Sequence, residues 1–346
     1  MLAGPWIGQT IADLAPEVIK VESPQVAADF HVAKRGKTSV NCAFGNPDDL
    51  ESLKTLIAEA DVLIENFKVG GLKKYGLDYP AMAALNPRLV YASITGFGQT
   101  GPRSGQAGYD FLIQGLSGIM DLTGDPTGEP QKVGVAWIDV FTGLYGVIGI
   151  QAALAERARS GRGQHVDLAL FDTGLAVLAN QATNHLIGGT EPRRLGNAHP
   201  NIVPYQVFPA SDGHLIIACG NDRQFRALTA ELRLAHLADD PDFATNPARV
   251  ANRDRLSDLL SAATAKRTRT DLIAALDRAG VPAGPINRVS EALSDPQAKA
   301  RGMVIAPEGL AGLRTPILFS RSDLDTTRAA PLLGQGAWTF RDGSEG

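Results

Sequence analysis

From residue 18 to about residue 188 short apolar runs alternate with longer amphipathic ones, and this alternation limits the possible folds more than any other feature. "VIKVE", "DVLIENF", "LVYASITGFG" and "HVDLALF" are dense in Val, Ile, Leu and Phe over strand length. Among them lie "DDLESLKTLIAEA", "YDFLIQGLSGIM" and "FTGLYGVIGIQAALAERARS", which read as helices. A strand that reaches the next strand through a helix pairs with it in parallel. The pattern therefore predicts an α/β fold with a parallel sheet and helices on both faces.

Past Gly189 the pattern changes. "GTEPRRLGNAHPNIVPYQVF" is rich in Pro, Gly and Asn and reads as an extended linker. "YQVFPASDGHLIIACG" reads as a hairpin turning at Ser211-Asp212-Gly213. Helices are expected at "DRQFRALTAELRL", "ANRDRLSDLLSAATAK" and "RTDLIAALDRAG". The expected division is a large α/β domain over 1–188 and a linker over 189–205. A smaller α+β domain follows over 206–300, then a tail over 301–346 that returns to the large domain.

Composition narrows the class. With 346 residues, 44% of them hydrophobic, the chain can bury a sizeable core. A net charge of −4 without a basic tail argues against nucleic acid as a partner. Apolar runs are broken before membrane-spanning length, and no leader precedes a cleavage site, so a cytoplasmic protein is expected. Cys42 and Cys219 lie far apart and fit no zinc or redox spacing. The histidines (His31, His165, His185, His199, His214 and His236) are scattered, so no metal site is expected.

Three local motifs mislead. "GFGQTG" satisfies G-x-G-x-x-G, but Pro102 follows and no amphipathic helix opens there to receive a pyrophosphate. "FDTG" resembles an aspartic-protease loop, which needs a second copy that this chain lacks. No G-x-S-x-G elbow is present.

One carboxylate stands out. "GRGQHVDLALFDTGLAVLANQ" places Asp172 at a strand-to-helix junction, inside an otherwise apolar run. An N-cap and an acyl-accepting nucleophile both suit that place, and on the stretch alone the cap weighs more.

The balance shifts with "AGPWIGQTIADL", "VIKVE", "RGKTSV", "ADVLIENFKVGGLKKYGLDY", "NPRLVYASITGFGQTGP", "GYDFLIQGLSG", "ERARSGRGQHVDLALFD", "GVPAGPIN" and "APLLGQ". In this order they resemble the class III CoA-transferases over nearly the whole chain. The resemblance implies a Rossmann-like large domain, chains interlocked in a homodimer, and Asp172 as the aspartate that accepts the acyl group. It implies an acyl-CoA substrate, a small carboxylic acid partner, and no metal. It sets Asn66, Phe67, Lys68 and Lys74 against the CoA nucleotide, with Phe44 on the adenine side. Leu2 and Ala3 would run along CoA near the active centre, with Tyr109 and Asp110 near the thioester. Each of these side chains also has an ordinary structural explanation as core or solvated surface.

The α-methylacyl-CoA racemases look similar across this domain. Their proton-transfer histidine is replaced here by Tyr109, a poor base near neutrality, which favours transfer over racemisation. Relatives of this kind carry a first strand before the stretch matching "MLAGP", which this sequence lacks. They also carry a longer loop where "QVAADFHVA" stands. A truncated, inactive CoA-binding paralogue is therefore a competing expectation. "GNAHPNIVPYQVF" with "CGNDRQF" looks like members that use succinyl-CoA and a dicarboxylic acid. Arg193, Arg194 or His199 could meet a distal carboxylate, though a solvated linker role weighs more.

Overall fold

A computed structural model of the chain describes residues 2–14, 16–24 and 33–340. His31 and all of "QVAADFHVA" but its last residue lie outside the described residues, as does the end of "GAWTFRDGSEG". Two compact units divide the chain. One comprises Met1–Met120, Lys132–Pro192 and Pro296–Gly346, and the other Asp121–Gln131 and Arg193–Asp295.

The chain opens with α1 (Ala3–Asp13), β1 (Ile19–Glu22), β2 (Thr38–Asn41), α2 (Pro47–Glu59), β3 (Val62–Glu65), α3 (Tyr79–Leu85) and β4 (Val90–Thr95). Next come α4 (Asp110–Leu116), α5 (Ile119–Leu122), α6 (Trp137–Ser160), β5 (His165–Ala169), α7 (Leu170–Ala176) and α8 (Ala179–Leu186). β3, β4 and β5 pair in parallel in that order, and β1 and β2 form a separate parallel pair.

β4 is the middle strand, and all six of its residues are buried. That is why its sequence is a continuous apolar run rather than an alternating one. Val90, Ala92 and Ile94 pack with Ala3 and Ile7 of α1 and with Ile138 and Ile150 of α6. Tyr91 joins a second cluster with Leu53, Ile57 and Leu77.

Glycine sets how closely α1 and α6 pack. A Cβ at Gly146 would lie 2.3 Å from Ile7 Cδ1, and one at Gly143 would lie 2.9 Å from Trp6 Cδ1. Larger residues would push the helices apart. α6 is also the one helix among the described residues long and apolar enough to cross a membrane. Its Ile138, Ile150 and Ala153 are spent on the core of this unit instead.

Two expected helices are broken. "YDFLIQGLSGIM" divides into α4 and α5 near Gly118, whose φ is 89°. The run after "HVDLALF" divides into α7 and α8. α6, in contrast, begins at Trp137 rather than at Phe141.

In the other unit β6 (Tyr205–Ala210) and β7 (Gly213–Ala218) form an antiparallel hairpin joined by Ser211-Asp212. Next come α9 (Asp222–Glu231), α10 (Asn246–Ala251), α11 (Arg253–Thr264) and α12 (Arg269–Arg278). β8 (Ala283–Pro285), which pairs with β7, and α13 (Val289–Ser294) follow. Its core includes Phe208, Leu215, Phe225, Leu256 and Leu272. Arg249 is buried there and donates to Val203 O at 2.6 Å, Phe243 O at 2.9 Å and Asp222 Oδ1 at 2.7 Å.

The chain then adds α14 (Pro296–Ala300) and an antiparallel pair, β9 (Val304–Ile305) with β10 (Gly312–Leu313), to the first unit. Its last part lies against α1 and β2. Thr315 N–H donates to Asp13 Oδ2 at 2.8 Å and Gly334 N–H to Ser39 Oγ at 3.1 Å. Asp13 also holds the buried Arg35 at 2.7 Å.

Candidate functional site

Two helix starts and the first residues of α1 converge on one carboxylate. Asp139, in the first turn of α6, is 4% exposed. Leu2 N–H donates to its Oδ2 at 2.8 Å, and Ala3 N–H also bonds the carboxylate. Its Oδ1 is buried with no hydrogen-bond partner among the described residues. The backbone N–H of Asp139 donates to Asp110 Oδ1 at 3.0 Å. Gln114 Nε2 takes Asp110 Oδ2 at 2.6 Å.

The local sequence explains the convergence. Gly143 and Gly146 let α1 lie close on α6, which brings the start of α1 to the first turn of α6. A Cβ at Gly96 would lie 2.5 Å from Gly108 Cα, so glycine lets the chain leaving β4 touch the residue before Tyr109. The glycines of "GFGQTG" thus serve packing, and no helix opens until Asp110.

Burial pushes the Asp139 carboxyl above the usual carboxylate range, and the nearby Asp110 charge pushes the same way. The Leu2 and Ala3 N–H groups pull it back down. A buried carboxyl held in this way ties the starts of α1, α4 and α6 together.

Asn66, Phe67 and Lys68 form the exposed turn after β3. Phe67 N–H donates to Glu65 Oε2 at 2.8 Å. Asn66 sits beside the first turn of α1, since a Cβ at Gly4 would lie 3.6 Å from its Nδ2. The Phe67 ring lies 5.8 Å from Phe44, and Phe44 lies 5.0 Å from Tyr75. Lys74 Nζ stands 4.7 Å from the Tyr75 ring centroid. Leu2, Ala3, Asn66 and Asp110 therefore gather around α1 and Asp139, and Phe44, Phe67 and Lys74 form a linked aromatic and cationic patch. Tyr109, 64% exposed, occupies the N-cap position of α4.

Asp172 stands apart from these contacts. The N-cap of α7 is Ala169, and Asp172 falls in the first helical turn because Leu170 and Phe171 are already helical. That corrects the expectation of a cap. The side chain is exposed, and no hydrogen bond holds its carboxylate among the described residues. In the other unit Arg194 bonds Asp121 Oδ1 at 2.9 Å, and His199 Nδ1 accepts from Asn201 N–H at 3.1 Å. Arg193 is exposed.

Sequence reasoning passed over Asp139 because the helix was expected to start at Phe141, leaving the aspartate in a loop. The available signal was an acidic residue two positions after Trp137, ahead of a long apolar helix. Among the described residues no group of three or more His, Cys, Asp or Glu is arranged to hold a metal ion.

Comparison with known proteins adds to this geometry. The family model described as CoA-transferase family III matches residues 1–337. The succinate–glutarate CoA-transferase of Agrobacterium fabrum is 48% identical, covering 97% of this chain and 90% of that protein. The mouse succinyl-CoA:glutarate CoA-transferase is 37% identical, covering 97% and 81%. The succinyl-CoA:mesaconate CoA-transferase of Haloarcula hispanica is 33% identical, covering 97% and 91%. The crystal structure of a CAIB/BAIF family protein from Brucella suis is similar, with a TM-score of 0.85, 55% identity, and coverage of 96% and 93%.

Proposed function

The chain belongs to CoA-transferase family III, and from that premise we propose that it moves CoA from succinyl-CoA to a dicarboxylic acid such as glutarate. The relatives that carry those substrate names support the choice of donor and acceptor.

The observation that carries the mechanism is the Asp172 carboxylate, exposed in the first turn of α7 directly after β5. In the first step Asp172 attacks the thioester carbonyl, forming an aspartyl–succinyl anhydride and releasing CoA thiolate. The thiolate then attacks the aspartyl carbonyl, giving an aspartyl-CoA thioester and free succinate. The acceptor carboxylate attacks that thioester to form a new mixed anhydride and release thiolate again. Attack of the thiolate on the acceptor's carbonyl yields the new acyl-CoA and restores the aspartate. The overall exchange converts one thioester into another, so no nucleotide is consumed.

The family resemblance supports Asp172 in this role, and Asp139, with one unpartnered oxygen, is the second candidate. Asn66, Phe67, Lys68, Lys74 and Phe44 bind the nucleotide end of CoA, while Leu2, Ala3, Tyr109 and Asp110 line its thioester end. Lys74 supplies charge without the bidentate fork of an arginine. The working form is a homodimer with interlocked chains. Phe111, Leu112, Tyr145, Ile148, Leu186 and Ile187 support this, because they are large, apolar and exposed. A monomer by light scattering at micromolar concentration would overturn it. The cytoplasm is the proposed location.

The test is direct. Succinyl-CoA and glutarate should give glutaryl-CoA and succinate in equal amounts. With succinyl-CoA and hydroxylamine, peptide mapping should find the modification at Asp172. Labelling at Asp139 would move the nucleophile to that residue, and absence of any exchange would remove the transferase activity.

A further inference from the structure

On the sheet face turned away from α1 and α6, a polar cluster joins the three parallel strands. Ser93 of β4 is 2% exposed, and its Oγ lies 2.8 Å from His165 Nε2 of β5. The same hydroxyl hydrogen-bonds the Glu65 carboxyl at the end of β3. Glu65 in turn accepts the Phe67 N–H at 2.8 Å through Oε2. The His165 ring stacks on Tyr79 with centroids 4.7 Å apart and meets the edge of Tyr91 at 5.5 Å. A cavity of about 280 Å³ opens beside the cluster, bordered by Lys68, Tyr79 and Gln99.

We infer that Glu65, Ser93 and His165 act as positioning residues that hold the Asn66-Phe67-Lys68 turn in the shape that receives CoA. The inference rests on the proposed reading that this turn meets CoA. An exposed turn beside a cavity gets little support from packing on that side, so its shape depends on the hydrogen bond from Phe67 N–H to Glu65. An ionised carboxylate only accepts, so Ser93 must donate to Glu65. His165 then donates its Nε2–H to Ser93 Oγ, and the stacked Tyr79 and edge-on Tyr91 hold the imidazole in place. The chain of donors runs in one direction, from β5 through β4 to the turn. It locks the Glu65 side chain before a ligand arrives, as a supporting layer must if a binding turn is to be preorganised. Burial favours the neutral form of His165, and the arrangement uses its Nε2–H tautomer.

Steady-state kinetics of the full chain with succinyl-CoA and glutarate decide the matter. Glu65→Ala should raise KM for succinyl-CoA about tenfold and leave kcat and the KM for glutarate within about twofold. Glu65→Gln should restore most of the loss. Its amide oxygen can still accept from Phe67, and its amide nitrogen can donate to Ser93 if the remaining bonds reverse. Ser93→Ala removes one oxygen and no carbon, and should raise the same KM by a smaller factor. It also decides the question if Glu65→Ala fails to fold. A KM for succinyl-CoA equal to wild type in the variants, or a fall in kcat in place of the KM change, would overturn the inference while the proposed function stands. A wild type that shows no saturable response to succinyl-CoA would remove both.

Discussion

Asp139 is the third residue of α6 and Asp172 the third residue of α7, so each carboxylate stands in a first helical turn, where the helix dipole favours an anion. Their surroundings have little else in common. α1 crosses the start of α6 and presents the Leu2 N–H to Asp139, with Asp110 joined to the same helix start. Nothing comparable covers Asp172, which remains exposed. α6 is 24 residues long and runs through the core, while α7 has 7 residues and stops at a break. Equal local position therefore does not make equal chemistry. An exposed carboxylate can meet a substrate, whereas one stripped of its water and held by fixed donors ties elements of the fold together.

The sharpest way to break this comparison is to neutralise each carboxylate in turn. Asp172→Asn should lower kcat by about a thousandfold or more, and Asp139→Asn by no more than about tenfold. Matching circular dichroism spectra would show that both variants remain folded. The reverse ranking would make Asp139 the acyl acceptor.

The next effect tests the crossing that distinguishes the two sites. Gly146→Ala puts a methyl group where Ile7 Cδ1 already lies and should cost about 1–3 kcal/mol of stability. Thermal melting should show a loss of several degrees, accompanied by reduced turnover as the start of α1 shifts from Asp139. An unchanged Tm with full turnover would mean that the α1 contact is dispensable.

A subtler difference lies in pH dependence. The folded chain holds the Asp139 proton more tightly than the unfolded chain, so the native state binds more protons between the ordinary carboxylate pKa and the raised folded value. The stability so gained is complete below the ordinary value and is lost as pH rises through the raised one. Glu65 is shifted the same way by burial, so the diagnostic quantity is the wild-type slope minus that of Asp139→Asn. That difference should be negative in this window. A difference of zero would place the titration elsewhere.

Lys74 provides the smallest expected change and a control on the comparison. Lys74→Ala should raise KM for acyl-CoA about threefold, with the effect shrinking as salt is added. The ranking of the two aspartates should not move. A salt-independent loss would point to packing against Tyr75 rather than to charge.

What the sequence determined by itself was the periodicity and the chemistry of local turns. The four strands expected in the α/β stretch, the hairpin at Ser211-Asp212 and α12 all lie where their patterns indicate, because each depends on neighbours along the chain, whereas β2 was not among the expected strands. The order of matching motifs likewise made the family legible, as the match over residues 1–337 bears out. The start of α6, the splitting of α7 from α8, and the assignment of Asp121–Gln131 to the unit containing Arg193–Asp295 were not legible. Nor was the company kept by Asp139. Its nearest groups come from residues 2, 3 and 110, a separation that no window of local pattern spans. Only the packing of α1 on α6 through Gly143 and Gly146 brings those groups together. The physical reason is that burial and fixed donors are properties of space, and a carboxylate's place in the chain specifies neither.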